Sequence, residues 1–321
     1  MGYYTKNGGL VGPGDLSEKQ GVYDIIASQL IGDSLYSINS VSFTPDAASG
    51  RLGPTLAQAQ AGLVINGDTG WVSNSTYFNV VSGIMYWRVP DSANYTIEAR
   101  GAEGGQGEAS LGQGKPIRTG KGARMIGDFS LTKNDVLSIL VGQKGLNGGV
   151  IGGNYAGGGG GGSYVLNQTT AVLLVTAGGG NGESWGSWNT QAPDGLSNNS
   201  NVTGGTLGGL GARGSGGGGY TGNGGNPTTG NSTPGLSFTN GGVGGAGDTG
   251  VGGGDGGFGG GGGTRWEGGG GGGYSGGRVV SANQYNNTFP TFGAGSYNAG
   301  SNQSNTAAYN SGHGLVIITR N

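Results

Sequence analysis

The sequence contains no cysteine, so it can form neither a disulfide framework nor a thiolate metal site. Its single histidine, His313, excludes a multi-histidine metal site made within one chain. Only 9 prolines are present and no strict Gly-X-Y repeat runs through the chain, which excludes a collagen triple helix. Charged residues make up 10% with a formal net charge of −2, leaving no electrostatic footprint for nucleic acid. No run of 18 apolar residues occurs, and the opening "MGYYTKNGGLVGPG" has no apolar core of signal-peptide length. The triplets "NST" (74–76) and "NVT" (201–203) therefore read as Asn/Ser/Thr richness rather than glycosylation sites.

What the chain has in abundance is glycine, 84 residues of 321. With proline this reaches about 29%, a range associated with low complexity or disorder. A solvated disordered chain, however, combines low hydrophobicity with high charge. Here charge is low, and 14 Tyr, 7 Phe and 5 Trp are present, the composition of a packed or self-associating polymer.

Residues 1–40 form an N-terminal anchoring or oligomerisation segment. Within it "DLSEKQGVYDIIASQLIGDSLYSI" reads as helix, with Asp15 or Ser17 as cap and Val22, Ile25, Ile26 and Leu30 near one face. That face is expected to dock on a partner, on another copy, or on the chain's own β domain.

Residues 41–177 read as strands and turns. "YTIEAR" (95–100), "ARMIGDFSL" (123–131), "DVLSILVGQ" (135–143), "SYVLN" (163–167) and "AVLLVTAGG" (171–179) are bounded by turn residues, as in a β-sandwich. The last strand, "HGLVIITRN" (313–321), has no sequence neighbour and is expected to close that sandwich. Residues 178–312 are then a glycine-rich insertion anchored at both ends.

In the insertion, non-glycine residues often fall three apart, as at Val243, Ala246 and Thr249. Three residues per turn, rising about 3.1 Å each, is the polyproline II period, and such a helix has no internal hydrogen bonds. Glycine helices of this kind can pack side by side, because backbones without side chains approach closely enough to bond to one another. The predicted fold is mainly β: a sandwich with an inserted bundle of polyglycine II helices and a short helical N-terminal segment.

Three elements carry a family likeness: Gly53-Pro54-Thr55-Leu56, then Gly83-Ile84 with Trp87, Val89 and Pro90, and then Gly101-Ala102-Glu103-Gly104-Gly105. They resemble a glycine-rich protein family frequent in tailed phages and other large viruses. "GDFSLTKNDVLSILVGQKG" (127–145), "GGGGGGSYV" (157–165) and "GGGGGGYSGG" (268–277) are similar to the extracellular glycine-rich region of the anaplastic lymphoma kinase and leukocyte tyrosine kinase receptors. The resemblance implies a TNF-like or jelly-roll sandwich carrying polyglycine II helices, and a comparable polyglycine sandwich occurs in host-recognising adhesins of T-even-like phages. It also implies a virion protein assembled in the host cytoplasm, most simply as a homotrimer. Partners would be its own copies, other virion proteins and a host surface protein or glycan, without membrane insertion.

No catalytic, cofactor or metal site is signalled. Gly-x-Gly-x-x-Gly spacings arise by chance among so many glycines, and none opens a helix after a strand. His313 reads as a turn or strand-edge residue, and Trp87 as core. Binding is the better-supported chemistry, since aromatic side chains amid Gly, Ser and Asn give contact area at low rotamer entropy. The receptor-binding candidates are Trp185, Trp188, Tyr220, Trp266, Tyr274, Tyr285, Phe289 and Tyr297.

Overall fold

The structure, a computed structural model, describes residues 3–4, 10–11, 34–107, 114, 116–149, 155–185, 191–199, 213–278 and 292–321. Two short strands, β1 (Tyr3–Tyr4) and β2 (Leu10–Val11), pair with each other. The amphipathic stretch with Val22, Ile25, Ile26 and Leu30 lies outside the described residues, as do Trp188, Tyr285 and Phe289.

The body is a sandwich of two six-stranded antiparallel sheets. One contains β3 (Ile38–Phe43), β4 (Val64–Gly67), β7 (Ala93–Arg100), β8 (Gly122–Leu131), β13 (Ser301–Asn310) and β14 (Leu315–Arg320), in the order β13-β8-β7-β14-β3-β4. The other contains β5 (Phe78–Val81), β6 (Ile84–Arg88), β9 (Val136–Leu140), β10 (Ser163–Asn167), β11 (Val172–Ala177) and β12 (Tyr297–Asn298), in the order β12-β11-β10-β9-β6-β5. Strict alternation decides which side chains face inward. In β7 these are Tyr95, Ile97 and Ala99; in β8, Met125, Phe129 and Leu131; in β14, Val316 and Ile318. Trp87 stands at the centre, fully buried, with ring centroids 6.1 Å from Phe43 and 6.5 Å from Tyr95.

The C-terminal strand β14 lies between β7 and β3, paired antiparallel to both. It thus joins segments about 220 and 275 residues earlier in the chain. Two elements differ from the sequence-based expectation. Helix α1 (Leu56–Ala61) interrupts the strands and turns expected over 41–177; six residues are too few to show a helical period. Thr55 caps it reciprocally: its Oγ1 accepts the Gln58 N–H at 3.3 Å, and its own N–H donates to Gln58 Oε1 at 3.0 Å. Thr55→Ala is expected to cost about 1 kcal/mol, read as a lower urea midpoint at unchanged slope. The glycine-rich stretch expected over 178–312 also ends early, because β12 and β13 take residues 297–298 and 301–310 into the sheets. Nine of the ten β13 residues are not buried, so no apolar alternation marks that strand in the sequence.

Candidate functional site

Four strands join glycine-rich stretches at one end of the sandwich: β7 runs into 101–107, β9 into 141–149 and β11 into 178–183, and 157–162 leads into β10, while 116–121, with Gly120, leads into β8 at the same end. The six glycines 157–162 form the axis of a bundle. Gly157 and Gly160 donate to the carbonyls of Glu183 and Gly180, Gly158 and Gly161 to Leu146 and Gln143, and Gly159 and Gly162 to Gly262 and Gly259, all at 2.8–3.0 Å. Each partner stretch is therefore met every third residue. Between these bonds, carbonyls of the same tract accept from Gly269 and Gly272, from Gly105 and Ala102, and from Gly257. Bonds leaving in all directions with a period of three, and none inside the tract, define a polyglycine II lattice.

Close approach is the reason for glycine here. A Cβ on Gly157, Gly158, Gly159, Gly160 or Gly161 would overlap a neighbouring carbonyl oxygen, those of Gly105, Asp255, Gly270, Ala102 and Phe258 respectively. Every N–H in the tract finds a partner although the tract is buried, as a buried backbone requires.

The lattice gives the molecule two ends. At the sandwich end away from the glycines, Leu35 N–H bonds Pro90 O, Asn134 N–H bonds Val89 O, Gln168 N–H bonds Val136 O, and Asn321 N–H bonds Asn94 O. Residue 34 and the C-terminal residue thus sit at the same pole. The far tip of the bundle lies beyond Gly157 and Glu183, roughly 15 Å from the sandwich edge at five steps of about 3.1 Å.

The sequence-predicted aromatic residues fall into two groups. Tyr220, Tyr274 and Tyr297 stand in one row with Tyr164 and Phe238 on the flank near the sandwich. Successive ring centroids are 5.0 Å (Tyr164–Phe238), 5.7 Å (Phe238–Tyr220), 6.1 Å (Tyr220–Tyr274) and 4.9 Å (Tyr274–Tyr297), and each pair is within 29° of parallel. The inner rings belong to a second apolar cluster with Ile84, Leu140, Leu166, Leu173 and Phe258. Tyr164 is fully buried, and burial raises its phenol far above the usual range, offset in part by its hydrogen bond to Gly273 O. Burial also raises the half-buried Tyr220 phenol, with a smaller contribution from Tyr274. The row stacks Tyr220 and Tyr274 between neighbouring rings, while Tyr297 ends it with one stacking partner, Tyr274.

Trp185 and Trp266 belong to the tip. Trp185 N–H donates to Trp266 O at 2.9 Å, and the guanidiniums of Arg213 and Arg265 lie over the Trp266 ring, 5.0 and 4.3 Å from its centroid. The sequence pattern missed Arg213, Arg265, Tyr164 and Phe238 as members of these groups. Their signal is weak: single residues between glycines, brought together only by the lattice.

A third cluster joins bundle to sandwich. Glu103 accepts from Lys144 Nζ and the Gly312 N–H, both at 2.9 Å, and from the Thr119 hydroxyl. Burial alone would raise the Glu103 carboxyl; these hydrogen bonds and the Lys144 charge outweigh it and hold the carboxyl below its usual 4.5. His313 Nδ1 accepts the Lys144 backbone N–H at 3.1 Å, and burial, then the Lys144 charge, depress its pKa below 6.5. The folded form therefore binds fewer protons than the unfolded chain at these two groups. Their stabilisation is complete above about pH 6.5 and is lost as pH falls through the depressed value of His313 and then that of Glu103. The urea midpoint is expected to fall between pH 7.5 and 5.5. His313→Asn, whose Oδ1 still accepts a bond but does not titrate, should reduce that fall. Among the described residues no three His, Asp or Glu side chains come together as a metal site, and no helix is long and apolar enough to cross a membrane.

Fold and bundle together define a class: a β-sandwich from whose end a lattice of glycine helices extends. No family model matches the chain. A stretch of 108 residues, 32% of this chain, is 32% identical to the leukocyte tyrosine kinase receptor of Mus musculus, of which the match covers 11%. The chain is thus similar to part of that receptor and spans a small fraction of its length.

Proposed function

We propose that the chain is a phage virion appendage protein, a tail-fibre or tail-tip adhesin. Its N-terminal segment would bind other virion proteins, and its glycine tip would meet a host surface protein or glycan. The two-ended layout carries this reading: the chain enters the sandwich at one pole, and a rigid lattice holds Trp185 and Trp266 at the other. The likeness of Gly53–Leu56, Gly83–Pro90 and Gly101–Gly105 to viral glycine-rich proteins supports the setting. A homotrimer, with three sandwiches about one axis and three tips facing outward, fits a fibre end.

Immunogold electron microscopy of particles from the source culture, with antibody against residues 213–278, tests this. Label at a tail tip or fibre end is the expected result; label along the head, the neck or a continuous filament would reject the adhesin. A second reading, a structural virion or filament subunit, draws on the aromatic row, in which Tyr220, Tyr274 and Tyr297 stack on one another. Under that reading mutual packing is their whole role, and replacing them leaves adsorption unchanged.

A further inference from the structure

We infer that Arg213, Arg265 and Trp266 at the bundle tip form a binding site for an anionic polysaccharide, gripped through carboxylate or phosphate groups borne on its sugars. The inference rests on the adhesin reading and names the chemistry that the tip would recognise.

Both guanidiniums lie over one indole, 5.0 and 4.3 Å from its centroid. Stacking uses the flat face of a guanidinium and leaves its N–H edge, the part that matches a carboxylate or phosphate with two parallel hydrogen bonds. The platform is fixed by backbone bonds rather than by side-chain packing alone. Arg265 N–H and Trp266 N–H both point to Arg213 O, at 3.1 and 3.4 Å, and Trp185 N–H holds Trp266 O.

Two carboxylates stand nearby: Asp248 forms an ion pair with Arg265, while Glu267 feels the Arg213 charge without pairing with its guanidinium. Asp248 Oδ2 is 3.6 Å from Arg265 Nε, beyond hydrogen-bond length, and also accepts the Asn231 N–H at 3.1 Å. Its Oδ1 accepts the Gly250 N–H. Glu267 directs Oε2 to the Arg213 backbone N–H at 3.1 Å rather than to the guanidinium. Among the described residues Arg213 is in no ion pair. The Arg213 guanidinium, over the indole and in no ion pair among the described residues, leaves N–H groups for an external anion at the end of the lattice. Half-buried Trp185, bonded through its backbone N–H to Trp266 O, brings a second indole-bearing residue to this end of the lattice, which suits a sugar better than an isolated ion.

The test uses the full chain in biolayer interferometry. Polysialic acid supplies the carboxylate arm and phosphorylated dextran the phosphate arm, with neutral dextran and polyglutamate as comparisons. At least one charged polysaccharide should bind, with affinity falling as salt rises, and neutral dextran should not. Arg213→Gln should weaken binding at least about tenfold with an unchanged thermal melt. Arg213→Lys, which keeps the charge but loses the planar fork, should also weaken it. Binding of neither charged polysaccharide, undiminished binding by both variants, or equal binding of polyglutamate would overturn the inference. Host-cell labelling run in parallel separates the two readings. Labelling retained by Arg213→Gln keeps the adhesin and rejects this site, whereas polysaccharide binding without labelling keeps the site and rejects the adhesin.

Discussion

Gly160→Ala should leave the protein without its glycine lattice, with amide protection lost across 157–162 and soluble yield collapsing. One methyl group is added, yet it has nowhere to go. It would overlap the carbonyl of Ala102, with the Glu103 carbonyl oxygen at 2.6 Å. Those oxygens cannot swing aside as a side chain could, because neighbouring backbone is itself bonded: Gly180 N–H donates to Ala102 O and Gly145 N–H to Glu103 O. Overpacking in an ordinary core costs about 1–3 kcal/mol, because side chains yield. Here backbone must yield on several stretches at once, so the loss should exceed about 3 kcal/mol, a large share of the roughly 5–15 kcal/mol that holds a domain together. Gly70→Ala is the matched control, since a Cβ there meets nothing within 4 Å. It should melt like the parent in differential scanning calorimetry. Equal behaviour of the two variants would mean that the tract is not packed as described.

Trp87→Ala should cost about 3–5 kcal/mol, the range for truncating a fully buried large aromatic residue. Trp87 is 0% exposed and lies edge-on to both Phe43 and Tyr95. It belongs to one sheet, whereas those two rings belong to the other, so the cavity would open between the layers. Equilibrium urea unfolding would show it as a lower midpoint. Trp87→Phe should recover much of the loss by refilling part of the space.

Most of the sandwich could be read from the sequence, because β7, β8 and β14 alternate cleanly and β10 is bounded by glycine on one side and Asn167 on the other. The three-residue spacing around glycine pointed to extended helices, and the bonds of 157–162 do recur every third residue; among the residues that carried the spacing, Thr249 instead opens a 3₁₀ turn, Thr249–Val251. Two kinds of feature were hidden. β13 carries Ser, Asn, Gln and Thr on an outer strand, so it lacks the apolar period that reveals a strand. The grouping of Tyr164, Phe238, Tyr220, Tyr274 and Tyr297 joins residues up to 133 positions apart, and nothing local in the chain signals that partnership. The same holds for Arg213 beside Trp266. Aromatic residues among glycines could be picked out as candidates one by one; which of them stand together depends on where the lattice turns.

A lattice whose axis, the six glycines 157–162, is backbone alone also behaves as a ruler. Around glycines 157–162 backbone bonds backbone directly, so the same partners are met every third residue. Adding three residues to every leg of the bundle would carry the tip outward by about 9 Å and keep the bonding pattern behind it. Adding one or two would rotate the tip residues out of phase with their bonding partners. Reach in such a protein would therefore change in quantised steps of three residues, while Trp266 and its two arginines kept their bearing.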